Sequence, residues 1–132
     1  GGSLYALKID VVNIESNSTS ASYNLGIYPG TPTGCSPDCG INNFGTPLST
    51  SMVTIDHSGI NELILDQPVY LIPGQTYTFT ITPTVSTQGF NWFAYPAGYP
   101  NGSSYGINFV SAGGPDLKFQ TIYLVGVWSP LN

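Results

Sequence analysis

Apolar and polar residues alternate along much of this chain with a period near two, and no segment repeats with the 3.6-residue period of a helix. Leu4 to Ile14 sets Tyr5, Leu7, Ile9 and Val11 against Leu4, Ala6, Lys8 and Asp10, which predicts a strand with one face on the core. Ser16 to Ser20 reads as a polar turn and Ala21 to Tyr28 as a second strand, so the two are expected to form a hairpin. Pro29 to Pro47, dense in Gly, Pro and Thr, reads as a long surface loop. Met52 to Ile55 and Ile60 to Leu65 read as short strands around Asp56-His57-Ser58-Gly59. Val69 to Leu71 leads into Pro73-Gly74, a turn dipeptide whose Gly supplies a positive φ. Thr76 to Thr82 sets Tyr77, Phe79 and Ile81 against threonines, the pattern of a half-buried strand. Asn91 to Tyr95, Tyr105 to Val110 and a long closing strand from Leu117 to Trp128 complete the series. Short strands at this spacing, about eight or nine of them, predict one all-β domain over residues 1–132. Its expected architecture is an antiparallel β-sandwich of jelly-roll type.

Composition narrows the function classes. Apolar residues make up 41% of the 132 positions and aromatics 13%, enough for one core and unlike a disordered chain. Charged residues are only 7%, against roughly 25% in ordinary domains. The net charge is −5 and the only cations are Lys8 and Lys118. A nucleic-acid partner requires a basic surface that these residues cannot build. Anionic membranes are disfavoured for the same reason, and no apolar run reaches the roughly 20 residues of a membrane span, so membrane insertion is not expected. The chain begins Gly1-Gly2-Ser3 without Met, which reads as a processed or excised form.

Cys35 and Cys39 stand in C-S-P-D-C within the Gly/Pro-rich loop. Zinc sites usually take four ligands and the single His57 has no partner motif, while a redox pair would be C-x-x-C before a helix. A local disulfide is the better reading, and it points to an oxidising, extracellular or cell-surface location. Asn17-Ser18-Thr19 and Asn101-Gly102-Ser103 are glycosylation sequons, at Asn17 and Asn101, consistent with that location.

Four stretches resemble, in order, a family of jelly-roll β-sandwich modules of secreted and cell-surface microbial proteins. Asn24-Leu25-Gly26-Ile27-Tyr28 is similar to the family's "GIY" strand. Gly45-Thr46-Pro47-Leu48 leading to Val53-Thr54 is similar to its next connection. Pro68-Val69-Tyr70-Leu71 with Pro73-Gly74-Gln75-Thr76-Tyr77 is similar to its strand–turn–strand. Asp116-Leu117-Lys118-Phe119-Gln120-Thr121 is similar to its closing strand. The resemblance implies fold and location more than activity, because such modules sit beside glycan-active enzymes, adhesins and surface proteins. Two departures stand out. Family members begin with a further strand before the one placed at Leu4, and the closing strand here continues through Leu124 to Asn132.

No catalytic set assembles from these residues. The lone His57 lies in a turn, no Ser stands in a G-x-S-x-G context, and nothing pairs two of the seven carboxylates across a cleft. No cofactor is expected except a possible structural calcium. Its candidates are Asp116, after Gly113-Gly114-Pro115 at the closing strand, and Asp66, with Asp38 and Asp56 as others; the competing reading of each is a turn-forming Asp. Glycans are one candidate partner, through Trp92, Tyr95, Tyr99 and Tyr105, since sugars present C–H faces that stack on aromatic rings. The competing reading is that these rings pack the core and its loops. Other copies of the chain are the other candidate partner. End strands that carry one Lys each, on a surface poor in charge, invite strand complementation. The expected contact residues are Leu4, Leu7, Ile9 and Val11 of the first strand and Ile122, Leu124, Val125, Val127 and Trp128 of the last. The leading expectation is therefore a non-catalytic extracellular subunit of a surface filament or layer, with a carbohydrate-binding or adhesive module as the alternative.

Overall fold

The computed structural model describes residues 2–35, 40–92 and 119–124. These form an all-β, sandwich-like arrangement of two antiparallel sheets. In the first sheet, strand β1 (Gly2–Ile14) is central and pairs along one side with β4 (Gly59–Leu71). Two strands share its other side: β6 (Phe90–Trp92) against Val11 to Ile14, and β7 (Phe119–Leu124) against Ser3 to Ile9. The second sheet has β2 (Ser22–Pro29) at its centre, between β3 (Ser49–Thr54) and β5 (Tyr77–Pro83). The described residues thus supply seven strands; the expected strand at Tyr105 to Val110 lies outside them.

Alternation puts one set of side chains from each sheet into a shared core. Leu4, Leu7, Ile9 and Val11 of β1 and Leu63 and Leu65 of β4 meet Tyr23, Leu25 and Ile27 of β2, Val53 of β3 and Ile55. Each such side chain contributes about 1.5–3 kcal/mol through its removal from water. Phe79, Ile81, Phe90, Ile14, Val69 and Leu71 close the rim. The simple two-residue alternation expected for β1 does not hold throughout. The register shifts between Leu4 and Ala6, so Leu4 faces the core together with Leu7, Ile9 and Val11. A bulge moves one residue out of phase without breaking the strand.

Two further expectations are corrected. β1 and β2 do not form a hairpin: they lie in different sheets, and residues 15–21 cross between them. That crossing is tied to the segment before β6, with Glu15 N–H donating to the Gly89 carbonyl (3.0 Å) and Thr19 N–H to that of Thr87 (2.9 Å). The segments Ile60–Leu65 and Val69–Leu71 are parts of one strand, β4. Where β1 has only Tyr5 between two pairs, β4 has Leu65, Asp66, Gln67 and Pro68, a bulge in the ladder. Pro68 has no N–H to donate and is tolerated there. At the same point Asp66 N–H donates to the Ser51 hydroxyl of β3 (2.9 Å), linking the two sheets.

A second, smaller apolar cluster lies on the outer side of β2, where Tyr28 and Phe44 are buried together (ring centroids 5.5 Å apart) with Cys35 against them. Phe44 ends a short 3-10 turn, Ile41–Phe44. Asn43 organises the described part of this loop: its amide donates to the Thr33 carbonyl (2.8 Å) and its Oδ1 accepts from Gly40 N–H (2.6 Å). Tyr28 can lie flat because Gly26, on the same face of β2, has no side chain.

Candidate functional site

Charge separates the two outer faces. The described charges on strands, Lys8, Asp10, Glu62 and Asp66, all belong to β1 and β4 of the first sheet. Register places Glu62, Lys8 and Gln120 in one row across β4, β1 and β7, and Ile64, Ala6 and Ile122 in the next. Along β4, Ile60 is 56% exposed, Ile64 48% and Tyr70 64%, while Ile122 of β7 is half-buried. β4 and β7 both pair with the same stretch of β1, so they flank it on opposite sides and run in the same direction.

The outer face of the second sheet carries no charge among the described residues. Asn24, Thr50, Met52 and Thr54 are exposed on it, and Thr78 and Thr82 are half-buried. Thr80 is buried beside Gly26, its register partner. Hydroxyls and methyls therefore dominate this face.

The residues expected at subunit contacts divide sharply. Leu4, Leu7, Ile9 and Val11 are at most 2% exposed and face the core, so in this fold they are not a contact surface. The physical reason is the position of β1: it is an inner strand whose backbone pairs on both sides, not an open end strand. Ile122 lies on the outer side of the first sheet in register with Ala6, and β7 pairs Leu124 with Ser3. Val125, Val127 and Trp128 lie outside the described residues. Of the aromatic set, Trp92 pairs with Val11 through β6, while Tyr95, Tyr99 and Tyr105 lie outside the described residues, as do Asp38, Cys39, Asn101 and Asp116. Asn17 is exposed on the crossing between sheets. Cys35 is not a free thiol. Asp66 is exposed on the β4 bulge, and no group of three metal-ligating side chains occurs among the described residues.

Polar groups shape the corners of the fold, and two of them, Asn61 and Tyr23, were not among the expected site residues. Asn61 is 2% exposed and faces inward from β4. Its amide donates to the carbonyls of His57 (2.8 Å) and Gly59 (3.2 Å), and Gly59 holds a φ of 94°, which suits glycine. His57 Nδ1 lies 2.7 Å from Asp56 Oδ1, an exposed pair on a corner. Tyr23 is buried edge-to-face against Phe90 (5.3 Å), and its hydroxyl has no hydrogen-bond partner among the described residues. Burial pushes its phenol up from the ordinary value, against an opposing pull from Ser18 and Gln88, which border it. Those two have other partners: Ser18 donates to the Ser20 carbonyl, and Gln88 donates to that of Ser22 while accepting from the Thr84 N–H. The signal for Asn61 was present in the sequence, as a polar residue in phase with Leu63 and Leu65 in the expected strand; Ser51 lay just before the strand expected at Met52, and what either bonds was not legible.

No family model matches the sequence, and comparison with curated proteins and with solved structures returns no match.

Proposed function

We propose that this chain is a non-catalytic extracellular structural domain of jelly-roll type whose copies join at the cell surface through the edges of the first sheet. The observation that carries the reading is the exposed apolar row of β4, Ile60, Ile64 and Tyr70, on a sheet whose opposite flank, among the described residues, is the uncharged strand β7. Contact between two β4 strands would oppose Glu62 and Asp66 to their like-charged equivalents, which is unfavourable across a sheet. Contact of β4 with the β7 of another copy meets no charged side chain among the described residues of that strand, Phe119–Leu124, and avoids that repulsion. Because β4 and β7 run in the same direction, such contact is head-to-tail and extends a sheet instead of closing a dimer. This keeps strand complementation but moves it from β1 to the flanking strands. A disulfide between Cys35 and Cys39 and glycan addition at Asn17, both expected from the sequence, support the same extracellular reading.

Light scattering and negative-stain imaging of the purified chain test it. Polymers are expected, and Ile64→Lys is expected to shorten them to monomers without unfolding. A monodisperse monomer at high concentration would sink the proposal. A second reading, adhesion to a neutral polysaccharide, is favoured by the charge-free outer face of the second sheet. It expects retention on such a polysaccharide that falls with Asn24→Asp; no retention on a broad panel removes it.

A further inference from the structure

One passage from the second sheet to the first, from β3 to β4, turns the corner Asp56-His57-Ser58 into Gly59, the first residue of β4. Two side chains brace it. The inner brace is Asn61, described above, whose Oδ1 also stands 3.4 Å from the Asp56 N–H. The outer brace is His57. Its Nδ1 lies 2.7 Å from Asp56 Oδ1, and its Nε2 lies 3.0 Å from the Ile60 carbonyl oxygen. Both partners can only accept when Asp56 is ionised. A neutral imidazole has one N–H and one lone pair, so it can satisfy one of them and must turn a lone pair toward the other. The imidazolium has two N–H groups and satisfies both.

We propose that Asp56, His57 and the Ile60 carbonyl form a proton-operated clamp on the corner between the two sheets, closed by the imidazolium and slackened when the ring is neutral. The surroundings suit the charged ring. Asp56 faces it from the corner itself, and β4 contributes the Ile60 carbonyl and the neutral Asn61. The nearest charges of β1 and β4, Asp10 in register with Ile60 and Lys8 in register with Glu62, have no contribution at the ring, on which Asp56 is the one charge that acts. The hydrogen bond to Asp56, and after it the one to the Ile60 carbonyl, raises the His57 pKa from its ordinary 6.5. A folded-state pKa above the unfolded one gives stabilisation that is complete below the unfolded value and is lost as pH rises through the folded value. Both side chains are 58% exposed, so salt weakens the effect. The clamp does not depend on self-association.

His57 is the only histidine in the chain, so its ring signals in an NMR titration of the full chain are unambiguous. The expected midpoint lies above 6.5 and falls in Asp56→Asn, with both ring nitrogens protonated below it. Amide exchange at Gly59 to Asn61, corrected for the intrinsic effect of pH, is expected to be several-fold slower below the midpoint than above it. The difference is expected to vanish in His57→Gln, a variant that also serves if Asp56→Asn misfolds. A wild-type midpoint at or below 6.5, a midpoint that ignores Asp56→Asn, or exchange that does not follow the midpoint would each overturn the clamp.

Discussion

Gly26→Ala tests the packing of the outer cluster most directly. A Cβ at this position would stand 2.8 Å from Tyr28 Cε1, 2.9 Å from Thr80 Oγ1 and 3.1 Å from Tyr28 Oη. Carbon atoms pack comfortably at about 3.5–4.0 Å, so something must move. Thr80 can rotate its hydroxyl, but Tyr28 is held between the strand and Phe44, both rings being buried. Overpacking of this kind costs about 1–3 kcal/mol. The alanine also restricts the unfolded chain, which returns about 0.4–1 kcal/mol. The net expectation is a loss of about 1–2 kcal/mol, seen as a lower urea midpoint at unchanged slope. At roughly 4 °C per kcal/mol for a domain of this size, Tm falls by about 4–8 °C. The decisive control repeats the substitution in a Tyr28→Ala background, where the obstructing ring is gone. There it is expected to be neutral or mildly stabilising, a coupling of the size contacting residues show, about 0.5–3 kcal/mol. If Gly26→Ala is harmless in the wild type, or equally costly in both backgrounds, Tyr28 does not rest on Gly26.

Other substitutions read single contacts. Tyr23→Phe removes a buried hydroxyl without a partner, a group whose burial costs about 1–3 kcal/mol, so chemical denaturation is expected to show unchanged or increased stability; a clear loss would mean the hydroxyl is engaged. Ser51→Ala leaves the Asp66 N–H without its acceptor and is expected to cost about 1–2 kcal/mol, with faster amide exchange at Asp66; unchanged exchange would refute the link between sheets. Leu63, fully buried, is expected to lose about 2–5 kcal/mol on truncation to Ala; a loss below 1 kcal/mol would place it outside the core.

Much of the strand content was legible because alternation is a local property. Leu4 to Ile14, Ala21 to Tyr28 and Thr76 to Thr82 match β1, β2 and β5 to within two residues at either end, and Gly74 takes the positive φ expected of it (82°). Pairing was not legible, because alternation says which face is buried and not which neighbour a strand takes. Residues 15–21 read as a hairpin turn and are instead a passage between sheets; the bonds to Thr87 and Gly89 that fix the passage are far away in sequence. The same ignorance misplaced the proposed contact surface. Leu7, Ile9 and Val11 were recognised as one apolar face, yet whether β1 stood at an edge or in the middle depended on β4 and β7. Tyr28 was not legible for another reason: it lies on the outer face of β2, and a loop residue, Phe44, buries it there.

The central place of β1 also has a consequence for how the chain comes together. Its partners arrive late: Ser3 bonds across to Tyr70 on one side and to Leu124 on the other. A strand that must wait for segments so distant folds slowly, since the entropy of closing large loops is lost before any ladder forms. Until then an apolar ribbon stays uncovered and open to neighbouring chains. Misassembly through that uncovered ribbon is therefore the outcome with which folding of this chain competes.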